Sequence, residues 1–411
     1  MDFDDNPDEA AFRREAHDWL AAHAPPKDPA RSGPGSGGQL DRESELEHLR
    51  QSQEWQATLY EGGWAGITWP KEYGGRGGTP IQAIIFGQEQ ARFDVPSGVF
   101  AQGIGMAGPT LMAHGTEDQK ERFLRPMLRG DEVWCQLFSE PGAGSDLANL
   151  STRAERDGDE FVVNGQKVWT SSAHYADWGI LLARSDFDAP KHRGITYFLV
   201  DMHTPGIDVR PLRQATGAAH FNEVFLSDVR VPADQAVGPV NGGWGVTVTT
   251  LANERMLIGG GQGAGDAFGD LVQLAASCGR KGDAVARQHL AEAFIRVQLL
   301  KYLGWRVQTA ISKGQQPGPE SSVLKLALSR HLAATGDLVM ELEGLGATLL
   351  DYDDPASGTW PRQFLGQWSS RIGGGTEQIQ RNIIGERVLG LPSEPRLDKD
   401  IPFRAAAGAG V

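Results

Sequence analysis

The stretch Ser139–Asp146 (SEPGAGSD) carries the residue types best suited to holding a ligand. Serine, proline, three small residues and a second serine in one turn make a loop whose backbone N–H groups can approach a large anionic or polar group closely. The loop follows an apolar run, Val133–Phe138, and leads into a polar, strand-like segment. An ordinary turn between strands reads the same way, and a second stretch separates the two readings. Asn164–Ser172 (NGQKVWTSS) puts Trp169 and hydroxyl residues at the end of a strand, suited to flank a flat aromatic cofactor.

Whole-chain properties bound what such a site can serve. The 411 residues suffice for two or three domains with substantial cores. A formal net charge of −14 argues against nucleic acid or an anionic membrane as the main partner, so an anionic ligand must be held by local donors. Two cysteines, Cys135 and Cys278, are too few for a disulfide framework and fit a reducing compartment. No apolar run is long enough to span a bilayer, and the acidic start MDFDDNPDEA is no signal peptide, so a cytoplasmic location is expected. No HExxH and no clustered His/Cys spacing points to a metal.

The elements that position the two stretches change texture along the chain. Asn6-Pro7 reads as a helix start, followed by Phe12, Ala16, Trp19 and Leu20 at helical spacing and ended by Pro25-Pro26. Lys27–Gly38 is a Pro/Gly/Ser-rich loop. Its formal GxGxxG (Gly33, Gly35, Gly38) has no strand before it and is interrupted by Pro34, so it is no dinucleotide site. Helical patterns cover Arg42–Tyr60, Ile81–Ala91 and Gln119–Leu128, with a glycine-punctuated, aromatic connector over Gly62–Gly78. From Val133 the pattern turns β: Phe161–Val163, Gly179–Ala183, Ile195–Val200, Val209–Pro211 and Glu223–Val231 are short runs between turn signals, as in a sandwich or barrel. Val246–Ile258, Ala284–Lys313 and Ser321–Leu342 are helical again, and Arg404–Val411 reads as a frayed tail. The spacing predicts an α+β chain: a helical domain over 1–131, a β-barrel or sandwich domain over 132–238, a helical domain over 239–395 and a tail over 396–411.

With these residues in view, the chain resembles the acyl-CoA dehydrogenase family over nearly its whole length. GITWPKEYGG, LFSEPGAGSD, NGQKVWTSS, DVRVP and GGTEQIQRNIIGERVLGLP occur in the family's order and spacing. The resemblance implies an N-terminal helical domain, a middle β domain and a C-terminal four-helix bundle. It also implies FAD as cofactor, an acyl-CoA substrate in fatty acid β-oxidation, an electron-transfer flavoprotein as acceptor, and a homodimer or homotetramer. The implied reaction removes the α proton of the thioester with a carboxylate while the β hydrogen leaves as hydride to flavin N5, in a site that excludes water.

Residue by residue, the resemblance places Gln136, Phe138 and Ser139 along the flavin, and Gly144 and Ser145 near its pyrophosphate or the substrate's pantetheine. Trp169 is placed on the ring, with Thr170 and Ser171 at its polar edge, and Thr376, Glu377 and Gln378 reach the cofactor from the C-terminal domain or a neighbouring subunit. Many members carry the base immediately before the late Gly-Thr, where this chain has Gly374. A second group, resembling isovaleryl-CoA and long-chain dehydrogenases, carries it on a C-terminal-domain helix directly before arginine. Glu254-Arg255 in LANERMLIGG stands there. Glu254 is thus the expected base, with a pKa raised by burial, and Arg255, Gly374, Gly375 and Ser145 are expected around the substrate. A free N–H at Gly374 would polarise the thioester carbonyl, and the space there suits a branched or bulky acyl group.

Two features depart from the family pattern. Cys278–Asp283 lacks the expected arginine–aromatic–glycine segment, with Arg280 a candidate for a pyrophosphate contact or a surface salt bridge, and Met340 stands where relatives often have glutamine. They support the alternative of a non-catalytic or partner subunit in a hetero-oligomer. A flavin oxidase or monooxygenase on the same fold is a third reading. Gly259–Ala264 (GGGQGA) follows a helical pattern and reads as close helix packing.

Overall fold

The computed structural model describes residues 5–27, 42–259, 267–313, 318–319, 321–349, 358–395, 398 and 400–408. In chain order the helices are α1 (Pro7–His23), α2 (Arg42–Glu61), α3 (Pro80–Gln90), α4 (Gly108–His114), α5 (Glu117–Arg129) and α6 (Gly243–Gly259). They continue as α7 (Ala267–Ser277), α8 (Ala284–Ser312), α9 (Ser321–Glu343), α10 (Thr359–Ile372), α11 (Glu377–Ile383) and α12 (Phe403–Gly408). The strands are β1 (Trp134–Leu137), β2 (Arg153–Asp157), β3 (Glu160–Ser171), β4 (Trp178–Arg184), β5 (Ile195–Asp201), β6 (Ile207–Leu212), β7 (Phe221–Pro232) and β8 (Ala236–Val237). The α–β–α texture of the sequence is the architecture. No described helix is long and apolar enough to cross a membrane.

By compactness the chain forms two units. The first comprises Glu45–Gly77, Ser97–Leu257 and Glu394–Val411 and contains the whole sheet. Its strand order is β6-β7-β3-β2-β4-β5-β8, with β1 added in parallel to β4. Phe161, Val163, Val224 and Val229 of β3 and β7 share one buried cluster with Leu181, Ala183, Phe198 and Val200 of β4 and β5, so the sheet folds over on itself. The opposite side chains of β4 and β5, among them Ile180, Leu182 and Leu199, pack on Leu111, Phe123, Leu124 and Met127 of α4 and α5 and on Val246 of α6. Being covered on both faces explains why GILLA and ITYFLV are unbroken apolar runs rather than alternating ones. The aromatic connector joins this core through Trp69, and the start of α6 is pressed onto β5, where a Cβ on Gly243 would come within 2.6 Å of the Tyr197 nitrogen.

The second unit, Met1–Ser44, Gly78–Pro96 and Ile258–Ser393, is helical. The Asn6 side chain caps α1 in a capping box with Glu9. Phe12, Ala16 and Leu20 are buried, and Arg13 joins Glu89 of α3 at 3.1 Å. In the C-terminal part α9 packs against α7, α8, α10 and α11, around Leu271, Leu274, Ala293, Leu338, Val339 and Leu342.

One expectation fails in part. Of the segment read as a frayed tail, Arg404–Val411, residues 404–408 are helical in α12 and 409–411 lie outside the described residues. Phe403, which opens α12, is buried and lies under Arg184, 3.7 Å from guanidinium carbon to ring centroid. Phe403 N and Arg404 N donate to Ala189 O and Phe187 O, at 2.9 and 3.0 Å. The small residues of the tail hid an anchor that depends on one aromatic side chain. The Gly33–Gly38 glycines and most of Gly259–Ala264 lie outside the described residues.

Candidate active site

The loop after β1 is a tight turn. Glu140 N donates to Ala143 O and Ala143 N to Glu140 O, both at 3.0 Å. Phe138 is buried with its ring edge-on to Tyr197 at 5.9 Å, Gln136 and Ser139 are half-buried, and Gly144 and Ser145 are exposed. The outer end is tied down by Asp146, which accepts from Lys191 Nζ at 3.0 Å. Lys191 also pairs with Asp398.

Beneath the loop lies a buried ion pair. Lys167 of β3 is fully buried, and its Nζ donates to Glu140 Oε1 at 2.8 Å and to Phe138 O at 3.1 Å. Glu140 accepts three further bonds, from Ser151 N (2.7 Å), Ser151 Oγ (2.9 Å) and Thr152 N (2.9 Å). Burial works against the Glu140 charge, but the Lys167 ammonium and these donors outweigh it and hold the carboxyl at about 2. Burial likewise pushes Lys167 down, with Glu140 opposing. With its acid so strongly kept ionised, the pair stays charged.

β3 supplies the second wall. Its pairing with β7 slips between Lys167 and Thr170, and at this bulge Trp169 takes φ +63. A bulky residue in the left-handed region costs about 1–3 kcal/mol, so surrounding structure must impose it. The result is an indole 61% exposed, edge-on to Phe221 at 6.0 Å. Ser171 is half-buried two positions along, whereas Thr170, expected to share the polar edge with it, is buried, with Oγ1 lacking a partner. A flat ring system fits this display: an aromatic plane is held out of a rigid strand beside a turn rich in peptide groups. These residues therefore fit FAD.

Glu254 projects from α6. Thr250, one turn earlier on the same face, bonds to the Tyr197 hydroxyl at 3.2 Å and to Thr110 at 2.9 Å, all buried. Tyr197 in turn backs Phe138. The helix carrying Glu254 is thereby tied to the residue that follows β1. Glu254 and Arg255 are both half-buried.

The late motif belongs to the helical unit. Gly374 and Gly375 take φ +64 and +89, conformations that favour glycine. Their carbonyls each accept from Gln380 Nε2 at 3.2 Å, and Gly375 O also accepts from buried Lys325 at 2.8 Å. Thr376, expected to reach the cofactor, caps α11 through Oγ1 to Ile379 N. Glu377, expected likewise, is buried between Arg371 and Arg381 at 3.1 and 3.4 Å. Gln378 is exposed. Arg280 pairs with Asp283 at 2.7 Å and donates to Glu341 O.

Sequence reasoning missed Glu140, Lys167 and Tyr197 as parts of the site. A signal was present: NGQKVWTSS has Lys167 as its one charge, on a strand that runs into Val168 and Trp169, and a buried charge needs a partner such as an acid of SEPGAGSD.

Comparison with known proteins agrees domain by domain. Three family models match: acyl-CoA dehydrogenase N-terminal domain over residues 6–131, middle domain over 135–229 and C-terminal domain over 241–389. The chain is 44% identical over 82% of its length to acyl-CoA dehydrogenase FadE34 of Mycobacterium tuberculosis, of which it spans 46%. It is 39% identical to acyl-CoA dehydrogenase IpdE1 of the same organism, over 94% of this chain and 98% of that one. Among solved structures, a variant of the Tcur3481-Tcur3483 steroid ACAD is similar at TM-score 0.77 and 30% identity, over 94% of this chain and 99% of that one. The ChsE4-ChsE5 complex from Mycobacterium tuberculosis is similar at 0.76 and 31%, over 96% and 100%.

Proposed function

The chain belongs to the acyl-CoA dehydrogenase family, and from that premise we propose that it oxidises the Cα–Cβ bond of an acyl-CoA thioester to the trans-2-enoyl-CoA. Glu254 takes the α proton onto its carboxylate. FAD, when bound, supplies the acceptor for the β hydride. Trp169 and Phe138 bracket the ring, Ser139 and Ser171 meet its polar edge, and Ser145 meets the pantetheine or pyrophosphate. The peptide N–H at Gly374 polarises the thioester carbonyl, supported by a turn whose carbonyls are already held by Gln380 and Lys325.

The observation that carries this reading is the line Phe138–Tyr197–Thr250–Glu254, which fixes the base-bearing helix to the cofactor wall. The test is anaerobic titration of the flavoprotein with acyl-CoAs. Wild type should bleach, and Glu254→Gln should bind but reduce about 10²-fold more slowly or worse. Bleaching at wild-type rate in the variant would remove Glu254 from the role.

The steroid dehydrogenase among the similar structures supports a bulky or branched acyl group. Equal turnover of straight and branched chains of each length would sink that. An electron-transfer flavoprotein as acceptor, a role in β-oxidation and a cytoplasmic place complete the reading. A second reading, assembly with an unlike chain, is favoured by the two-chain complex among the similar structures. The apolar side chains on α8, with Ile295, Leu299 and Tyr302 half exposed or more, support association in either form.

A further inference from the structure

Beyond the reciprocal Glu140–Ala143 backbone bonds, the SEPGAGSD loop contains little that would fix its orientation. Proline, alanine and two glycines have no side chain that can reach a partner, and added Cβ atoms on Gly142 and Gly144 would meet nothing within 4 Å. Those backbone bonds close the turn itself, and the orientation of the peptide that enters it must come from outside the loop. We propose that the Glu140–Lys167 ion pair is a positioning device that sets the flavin-facing peptide between Phe138 and Ser139, an inference resting on the dehydrogenase reading above.

The geometry is specific. Lys167 Nζ has two recorded acceptors, the carboxylate of Glu140 and the main-chain carbonyl of Phe138. One residue on, Ser139 O accepts from Val168 N at 2.9 Å. A trans peptide is planar, with its C=O and N–H antiparallel. Turning Phe138 O toward buried Lys167 therefore directs the Ser139 N–H the opposite way, out of the strand pair. Lys167 is also two residues before Trp169, at the slip in the β3–β7 register. One ammonium thus fixes a peptide plane on one wall while its own strand presents the indole on the other. An apolar pair of equal volume would fill the space but leave Phe138 O without its donor.

The test uses the full chain freed of flavin, with FAD titrated back by absorbance and by quenching of tryptophan fluorescence. Lys167→Met strands a buried carboxylate and can fail to fold, so the decisive variant is the double Glu140→Gln/Lys167→Met, which removes both charges and keeps an acceptor for Thr152 N. Ser151→Ala, which deletes a single donor to Glu140, is the graded control. The double variant should keep a wild-type far-ultraviolet spectrum while its FAD dissociation constant rises tenfold or more. Its flavin absorption band should also lose vibrational structure and its indole quenching should weaken. Ser151→Ala should shift the constant by threefold or less. A folded double variant with wild-type FAD affinity, band shape and quenching overturns the proposal. Failure of the wild type itself to bind FAD would instead overturn the dehydrogenase reading.

Discussion

The sheet unit and the helical unit bury charge in different ways. In the sheet, Lys167 meets a full opposite charge, and the acid it meets has three more donors. In the helical unit, Lys325 is almost as buried and donates to two main-chain carbonyls, Ser370 O and Gly375 O, at 2.9 and 2.8 Å. His331 of α9 is buried with Nδ1 lacking a partner, and burial together with nearby Arg296 drives its pKa down to about 4. The surfaces differ as well, since α8 and α10 leave Val285, Ile295, Leu299, Tyr302 and Trp368 substantially exposed. The difference teaches that the sheet centres its buried charge on an ion pair, while the helices hold a buried imidazole whose charged form is disfavoured and leave several large apolar side chains at the surface.

The sharpest way to break this contrast is a matched pair of substitutions. Lys167→Met should cost about 3–5 kcal/mol, because it leaves a buried carboxylate unpaired. Lys325→Met removes the donor to Ser370 O and Gly375 O, a loss of about 1–3 kcal/mol for those bonds. Denaturant unfolding of both variants measures this, and equal losses would erase the distinction.

Acid should separate the units next. His331 is depressed in the fold, so below its ordinary value of 6.5 the unfolded chain binds a proton that the native state refuses. Stability is therefore lost as pH falls from 6.5 toward 4. Glu140 is depressed from 4.5 to about 2, so its contribution is complete above 4.5 and disappears only between 4.5 and 2. Hydrogen exchange followed by mass spectrometry at pH 7, 5.5 and 4.5 should show α9 peptides losing protection before β3 peptides. Protection lost first in β3 would contradict the assignment.

Within the sheet, Tyr197→Phe should cost about 1 kcal/mol, the worth of its bond to Thr250. The shift in melting temperature measures it, together with a fall in flavin reduction rate if the line from Phe138 to Glu254 matters. The smallest effect is expected on α8. Leu299→Ser should change unfolding free energy by about 0.5 kcal/mol or less, and its readout is sedimentation velocity, where a lighter species should appear.

Much of this was legible in the sequence because it rests on pattern. Gly179–Ala183 and Ile195–Val200 are short apolar runs between turn signals, as strands are, and Asn6-Pro7 spells a helix start. What was not legible depends on pairing across distance. Glu140 and Lys167 are 27 positions apart, and nothing local says that they meet. Thr170 and Ser171 are adjacent hydroxyls, and only the bulge decides which one stays near the surface. Glu377 sits in the late motif but turns inward because two arginines happen to flank it in space.

The docking of α12 has a bearing on the order of events at the ribosome. Lys191 grips both Asp146 of the loop and Asp398, and Arg184 is roofed by Phe403. A nascent chain that has already emerged through the sheet still lacks these closing residues, which are made some 200 positions after β5. At the usual pace of synthesis, about 5–20 residues per second, that is a wait of roughly 10–40 seconds. During that interval the outer end of the SEPGAGSD loop already has its bond to Lys191, but Lys191 lacks its second carboxylate and Arg184 its aromatic cover.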